Sequence, residues 1–175
     1  ITQYGGTTVE IGNTDAEGRI VLADALAYAA TRLAPRAIID IATLTGHARI
    51  ALSRALAPVF GTSDPLVDAL IAAGETTGET LWRMPLPTAY RADLSSEVAD
   101  LAHVVPGGVA GAVYAALFLR EFVGDVLRLA GHDVVEAEDG RVAARRLDAR
   151  GLDLAVTALQ MPHLDGLALA RQAKA

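Results

Sequence analysis

The order of hydrophobic and polar positions predicts alternating strands and helices along the chain. Residues 7–11 alternate as a short strand does, and residues 37–44 are apolar on both faces apart from Asp40, as in the buried parallel strand of an α/β protein. Residues 19–33 between them form a nearly unbroken apolar run, which predicts a helix covered on most sides. Pro35 follows this run and marks the end of the helix.

The middle of the chain predicts further helices. A glycine turn and a short helix follow over residues 45–56. Residues 64–79 begin with Asp64 as N-cap and Pro65 at the first helical position, and they reach a glycine near their end, which together predict a helix. A pair of glycines opens an apolar helix over residues 107–123. This alternation of strands and helices is typical of an α/β fold.

The last part of the chain repeats the alternation. We expect strands over residues 133–138 and 152–159, each followed by a helix, over residues 140–150 and 167–175. A β-α-β-α order predicts parallel strands with right-handed crossovers. The predicted fold class is therefore α/β, a mostly parallel sheet flanked by helices, with a C-terminal flavodoxin-like segment packed on it or extending it.

Composition narrows the classes of function. The chain has 52% hydrophobic residues and a net charge of -6, with scattered basic residues, which argues against a nucleic-acid surface. The absence of cysteine excludes disulfides and thiolate metal sites. Residues 1–10 lack the features of a secretory signal. The apolar run over residues 107–124 is interrupted by charged residues before it is long enough to span a bilayer. We expect a cytoplasmic protein without a membrane partner, and one that lacks an upstream portion.

A group of charged residues stands at the entrance of the first predicted helix. Divalent cations that share a site need several oxygen ligands, and Asp15 and Glu17 would face one metal pair if the segment were extended. Arg19 would then hold a developing oxyanion or a bound anion. The alternative is ordinary capping, in which Asp15 caps the helix, Glu17 favours its positive end and Arg19 is solvated.

The wider context of this group resembles the leucyl aminopeptidase (cytosol aminopeptidase) family over about residues 1–124. The likeness rests on several motifs in the same order, which are "NTDAEGRIVLADAL", "DIATLTG", "GETLWRMPL", "SSEVADL" and "AALFLREFVG". The reaction that this implies is hydrolytic release of the N-terminal residue of a peptide by a metal-activated water. The family assembles as a hexamer, so a homo-oligomer is also implied.

The resemblance implies roles for single residues. Asp15 and Glu17 correspond to ligands of a centre with two zinc or manganese ions, and Arg19 to the catalytic arginine that is associated with a bicarbonate-like base. The substrate-lining turn of the family, whose backbone groups hold the peptide, corresponds to Thr43, Leu44 and Gly46.

The chain also departs from the family pattern. The remaining metal ligands of the family, a lysine and two aspartates, and its catalytic lysine precede the matched motifs, so we expect impaired activity. His47 stands where the family usually has alanine, and His103 stands near a usual asparagine. Neither histidine is assigned a catalytic role here.

Residues 125–175 resemble part of another family, the response-regulator receiver domain. That family accepts phosphate on an aspartate, and the matching position here is Ala158, which has no oxygen to phosphorylate. Gln160 offers only a carbonyl, and Asp165 and Gly166 are expected to turn the chain and cap the last helix. We therefore expect no phosphoacceptor.

Two interpretations remain open. The first is a chimera of a partial metal-dependent aminopeptidase domain (residues 1–124) with a partial receiver-like segment (residues 125–175). The second is a non-catalytic scaffold or signalling fragment in which the peptidase residues are vestigial. In both, two β-α units cannot bury their faces alone, so we expect a strand of the tail to join the sheet of residues 37–44.

Overall fold

The computed structural model describes residues 1–33, 35–130, 133–137 and 154–157, with side chains up to residue 123. The helices are α1 (Glu17–Tyr28), α2 (His47–Leu52), α3 (Asp64–Thr77) and α4 (Gly111–Ala130). The strands are β1 (Val9–Glu10), β2 (Ala37–Ile41), β3 (Ala57–Gly61), β4 (Leu81–Arg83), β5 (Leu101–Ala102), β6 (Asp133–Ala137) and β7 (Leu154–Thr157). Short 3-10 segments cover Thr14–Ala16 and Thr88–Leu94, and a π-helical turn, Ala29–Leu33, extends α1.

Five strands form the main sheet in the order β4-β3-β6-β2-β7. The β2–β6, β2–β7 and β3–β4 pairs are parallel, and the β3–β6 pair is antiparallel. The sheet is thus mostly parallel, as predicted. A separate pair, β1 and β5, is also parallel, with Val9 opposite Leu101.

The two strands of the tail join the main sheet on either side of β2. Ile39 of β2 lies opposite Val135 of β6 and Ala155 of β7. The expectation that a tail strand would extend this sheet is therefore confirmed. The predicted helices at 140–150 and 167–175, and the position of Ala158, lie outside the described residues.

The core lies between the sheet and the helices α1 and α4. Leu22 and Leu26 of α1 pack into the same buried cluster as Leu117 and Phe118 of α4 and Ile38 of β2. Burial of each of these large side chains stabilises the fold by about 1.5–3 kcal/mol. The core thereby holds the entrance of α1 against the sheet.

The helix α1 is less covered than the sequence predicted. Its buried residues recur at helical spacing, but Val21 is 68% exposed and Tyr28 is 49% exposed on the opposite side. Both are apolar or aromatic, so the composition of the run could not reveal its solvent-facing side. No helix among the described residues has the length and apolarity needed to cross a membrane.

Three helix starts differ from the prediction. The first residue of α1 is Glu17, not Arg19. The N-cap of α3 is Ser63, whose extended backbone lets its Oγ accept a hydrogen bond from the Leu66 amide, and Asp64 is the first helical residue. The helix α4 begins after the glycine pair at 107–108, because both glycines have positive φ and cannot continue a right-handed helix.

The 3-10 segment Thr88–Leu94 is fastened to α4 by side chains. The Tyr114 hydroxyl donates to Asp93 Oδ2 at 2.5 Å, and Arg91 Nε lies 2.6 Å from Glu121 Oε2. The hydrogen bond to Asp93 raises the pKa of Tyr114 to about 12. These contacts fix the segment that leads into β5.

Candidate functional site

The segment with the two carboxylates is helical. The Asn13 side chain accepts a hydrogen bond from the Asp15 amide at 2.9 Å and caps the 3-10 turn Thr14–Ala16, which runs directly into α1 at Glu17. The extended conformation that would have pointed both carboxylates one way is therefore wrong. Asp15 and Glu17 both lie exposed at the entrance of the helix, where its positive end favours negative charge.

The capping alternative is also wrong in two of its three parts. The N-cap of α1 is Ala16, which makes no side-chain cap bond, so Asp15 does not cap this helix. Arg19 is not solvated, since only 6% of it is exposed. Glu17, at the first position of α1, does fit the dipole part of that alternative.

Arg19 is a buried cation with part of its hydrogen-bonding capacity unused. Its Nη1 donates to the His103 carbonyl oxygen at 2.8 Å. Its Nε is buried and has no hydrogen-bond partner within the part of the chain that the structure describes. Burial lowers the pKa of the Arg19 guanidinium below its ordinary value. A buried donor without a partner is costly to the fold, and a charged donor forms strong hydrogen bonds with anions.

His103 is fully buried, and its ring contacts the residues that precede α1. Its Nδ1 accepts from the Gly12 amide at 3.2 Å and lies 3.0 Å from the Glu10 carbonyl oxygen, and its Nε2 lies 2.9 Å from the Asn13 carbonyl oxygen. Sequence analysis assigned no role to His103. Its partners stand about ninety positions away, so no local pattern marks it.

The predicted substrate-lining turn packs against the helix entrance. Thr43 and Gly46 are exposed and Leu44 is half-buried, just beyond the carboxyl end of β2. A Cβ on Gly18, the residue between the second carboxylate and the arginine, would lie 3.2 Å from Leu44 Cδ2. The structure thus brings together two segments that the sequence marked separately.

His47 joins that turn to the loop before α4. Its Nε2 lies 2.8 Å from the Gly108 carbonyl oxygen, which can only accept, so Nε2 carries the proton. The ring also occupies the space beside Gly111, where a Cβ would come within 2.5 Å of Nδ1. His47 therefore has a packing role between two loops.

The two carboxylates do not make a metal site by themselves. Among the described residues, no group of three or more histidine, cysteine or acidic side chains could hold an ion. Asp15 and Glu17 supply hard oxygen donors of the kind that divalent cations bind, and two such donors leave further coordination positions for water or other groups.

Comparison with known proteins decides the family. The model of the cytosol aminopeptidase family, catalytic domain, matches residues 1–156. This chain belongs to the cytosol aminopeptidase family. The match extends past residue 124, where the sequence motifs predicted the likeness to end, and includes β6 and part of β7.

Curated relatives and solved structures agree with this family. The chain is 46% identical over 166 residues to probable cytosol aminopeptidase 1 of Shewanella oneidensis, covering 93% of the chain and 33% of that protein. It is 51% identical over 139 residues to a probable cytosol aminopeptidase of Prochlorococcus marinus, covering 78% and 28%. The matched part of this chain spans only 33% and 28% of the length of these two relatives.

The structural likeness covers the same part of the relatives. A cytosol aminopeptidase from Coxiella burnetii superposes with a TM-score of 0.70 at 47% identity, over 78% of this chain and 29% of that one. A mutant of tomato leucine aminopeptidase gives a TM-score of 0.71 at 41% identity, over 78% and 26%. Homologues of this chain are therefore aminopeptidases with the same α/β catalytic fold.

Proposed function

We propose that this chain contributes one wall of a metal-dependent aminopeptidase active site, which releases the N-terminal residue of peptides. The observation that carries the proposal is the buried Arg19, whose Nε has no partner among the described residues, beside the exposed carboxylates and the turn at 43–46. Buried unpaired donors are rare in folded proteins, and a catalytic role or a bound ion is among the explanations for them.

Asp15 and Glu17 are the residues that would hold zinc or manganese. Their oxygen donors and exposed position suit a divalent cation, although they provide part of the ligand set of one ion rather than of two. In such enzymes the ions supply a nucleophilic water at neutral pH and polarise the scissile carbonyl. The two side chains would orient that centre at the start of α1.

Arg19 would bind the anionic group of the reaction. Its guanidinium is held by the His103 carbonyl, and an anion that entered the helix entrance, such as a developing oxyanion or a bicarbonate-like base, would satisfy the buried Nε donor. The backbone groups of Thr43, Leu44 and Gly46 would hold the peptide against this wall.

The proposal includes partners and location. The substrate class is peptides, and a homo-oligomer, hexameric by family resemblance, is the proposed assembly in a cytoplasmic setting. We propose no nucleic-acid or membrane partner. Residues 125–175 remain proposed as receiver-like, and without a phosphoacceptor at Ala158.

A non-catalytic role is the second candidate. It is favoured by the lack of a three-donor group among the residues that the structure describes. In this case the chain would keep the fold and lose the chemistry of its family.

Metal titration tests the choice between these functions. Mn²⁺ binding is measured by calorimetry for the wild type, for Asp15→Asn with Glu17→Gln, and for the charge-matched control Asp68→Asn with Glu75→Gln on α3. We expect the first pair to abolish binding and the control pair to leave it unchanged. Equal binding in all three would remove these carboxylates as ligands, and hydrolysis of a leucine anilide with added Mn²⁺ then reports on activity.

A further inference from the structure

His103 contacts the backbone of residues 10–13, the Arg19 guanidinium and the Phe118 ring. Its ring bonds to the backbone of residues 10–13, and its own carbonyl oxygen accepts from Arg19 Nη1 at 2.8 Å. The ring is 0% exposed and packs edge-on against Phe118 of α4, with the ring centroids 6.5 Å apart. One residue therefore contacts both the segment before the carboxylates and the guanidinium.

The two ring nitrogens of His103 face the backbone groups of different residues. Nε2 faces the Asn13 carbonyl oxygen, so it carries a proton and donates. Nδ1 lies 3.2 Å from the Gly12 amide nitrogen, which donates to it, and 3.0 Å from the Glu10 carbonyl oxygen, which also accepts from the His103 amide at 3.2 Å. The backbone of residues 10–13 is thus bonded, through both ring nitrogens, to the residue that directly follows β5.

The residues that are bonded to the ring lie directly before Asp15 in the chain. Asn13 is held by the ring through its carbonyl, and its side chain caps the turn that contains Asp15. The loop is also close-packed, since a Cβ on Gly12 would lie 2.9 Å from Val104 Cγ2. A change at residue 103 is therefore transmitted to the loop with little room for compensation.

We propose that His103 is a positioning residue that fixes the carboxylate segment and the Arg19 guanidinium relative to each other. The ring fixes the backbone of residues 10–13 through its hydrogen bonds. The main-chain carbonyl oxygen of the same residue fixes the position of the Arg19 guanidinium. The catalytic consequence rests on the proposed function. The geometric claim does not, because it concerns contacts within this chain.

The experiment compares three variants of the whole chain. His103→Leu removes the ring bonds. His103→Asn keeps one acceptor and one donor group at this position. Phe118→Leu is the control, because it loosens the packing on the ring and leaves its hydrogen bonds in place. Arg19 Nε–H exchange is measured by ¹⁵N NMR, Mn²⁺ affinity by calorimetry, and Tm by thermal unfolding.

We expect His103→Leu to accelerate Arg19 Nε–H exchange and to weaken Mn²⁺ binding, each by about tenfold, which corresponds to about 1.4 kcal/mol. His103→Asn should restore most of both, and Phe118→Leu should lower Tm without moving either. Unchanged Arg19 exchange in His103→Leu, or equal acceleration in Phe118→Leu, would overturn the proposal. If the wild type does not bind Mn²⁺, the proposed function fails, and the NMR result alone decides the role of His103.

Discussion

Replacement of Arg19 by methionine should leave the fold about as stable as the wild type. The substitution removes a charged donor from the His103 carbonyl, and such a bond contributes about 1.5–3 kcal/mol. It also removes the buried Nε that lacks a partner among the described residues, and an unsatisfied buried donor costs about 1–3 kcal/mol. These contributions nearly cancel, so we expect the free energy of unfolding to change by less than about 2 kcal/mol.

Arg19→Ala serves as the comparison in the same urea-unfolding assay. Alanine removes the same charge but leaves a cavity under the entrance of α1, so we expect a loss of about 2–5 kcal/mol. The reasoning predicts a clear gap between the two variants at neutral pH. If Arg19→Met loses as much stability as Arg19→Ala, the guanidinium is a structural group with satisfied bonds, and the idea that its spare donor serves an anion is refuted.

Two further predictions concern the framework around the site. The hydrogen bond to Asp93 raises the pKa of Tyr114 to about 12 in the folded protein, so its stabilising effect is complete below the ordinary tyrosine pKa and is lost as the pH rises towards 12. Tyr114→Phe should flatten the fall in stability in that alkaline window, measured by urea unfolding at several pH values, and an unchanged slope would contradict this. Ser63→Ala removes the N-cap of α3 and should cost about 1 kcal/mol in chemical unfolding, whereas Ser63→Asp should retain most of the stability.

The main elements were predictable because their patterns are local. The strand β2 is a short β-branched run, and α3 carries proline at its start and Gly78 at its left-handed end. The two strands of the tail were also predicted, because each contains a short apolar run. Their placement beside β2 followed from the need of two small β-α units to bury their faces.

The geometry of the site was less predictable. Residues 13–16 have turn-forming side chains that fit an extended loop as well as a 3-10 turn, and the Asn13 cap decides for the turn. Likewise, the exposed face of α1 carries Val21, so the apolar run gave no sign of which side meets solvent.

The sequence did not predict the contacts between distant parts of the chain. The burial of Arg19 depends on His103, which is 84 positions away along the chain. A charged residue at a helix entrance is ordinarily solvated, and only the long-range fold makes this one an exception. The residues of the candidate site could thus be named from motifs, while their environment could not.

Manganese-induced relaxation of NMR signals tests the central claim most directly. Bound Mn²⁺ broadens the signals of nearby nuclei, so substoichiometric Mn²⁺ added to the ¹⁵N-labelled chain should first broaden the amide signals of residues 13–19 and of the turn at 43–46. Asp15→Asn with Glu17→Gln should abolish this broadening. Uniform broadening over the surface, or first broadening at other acidic positions such as Asp68 and Glu75 of α3, would contradict a metal site at the entrance of α1.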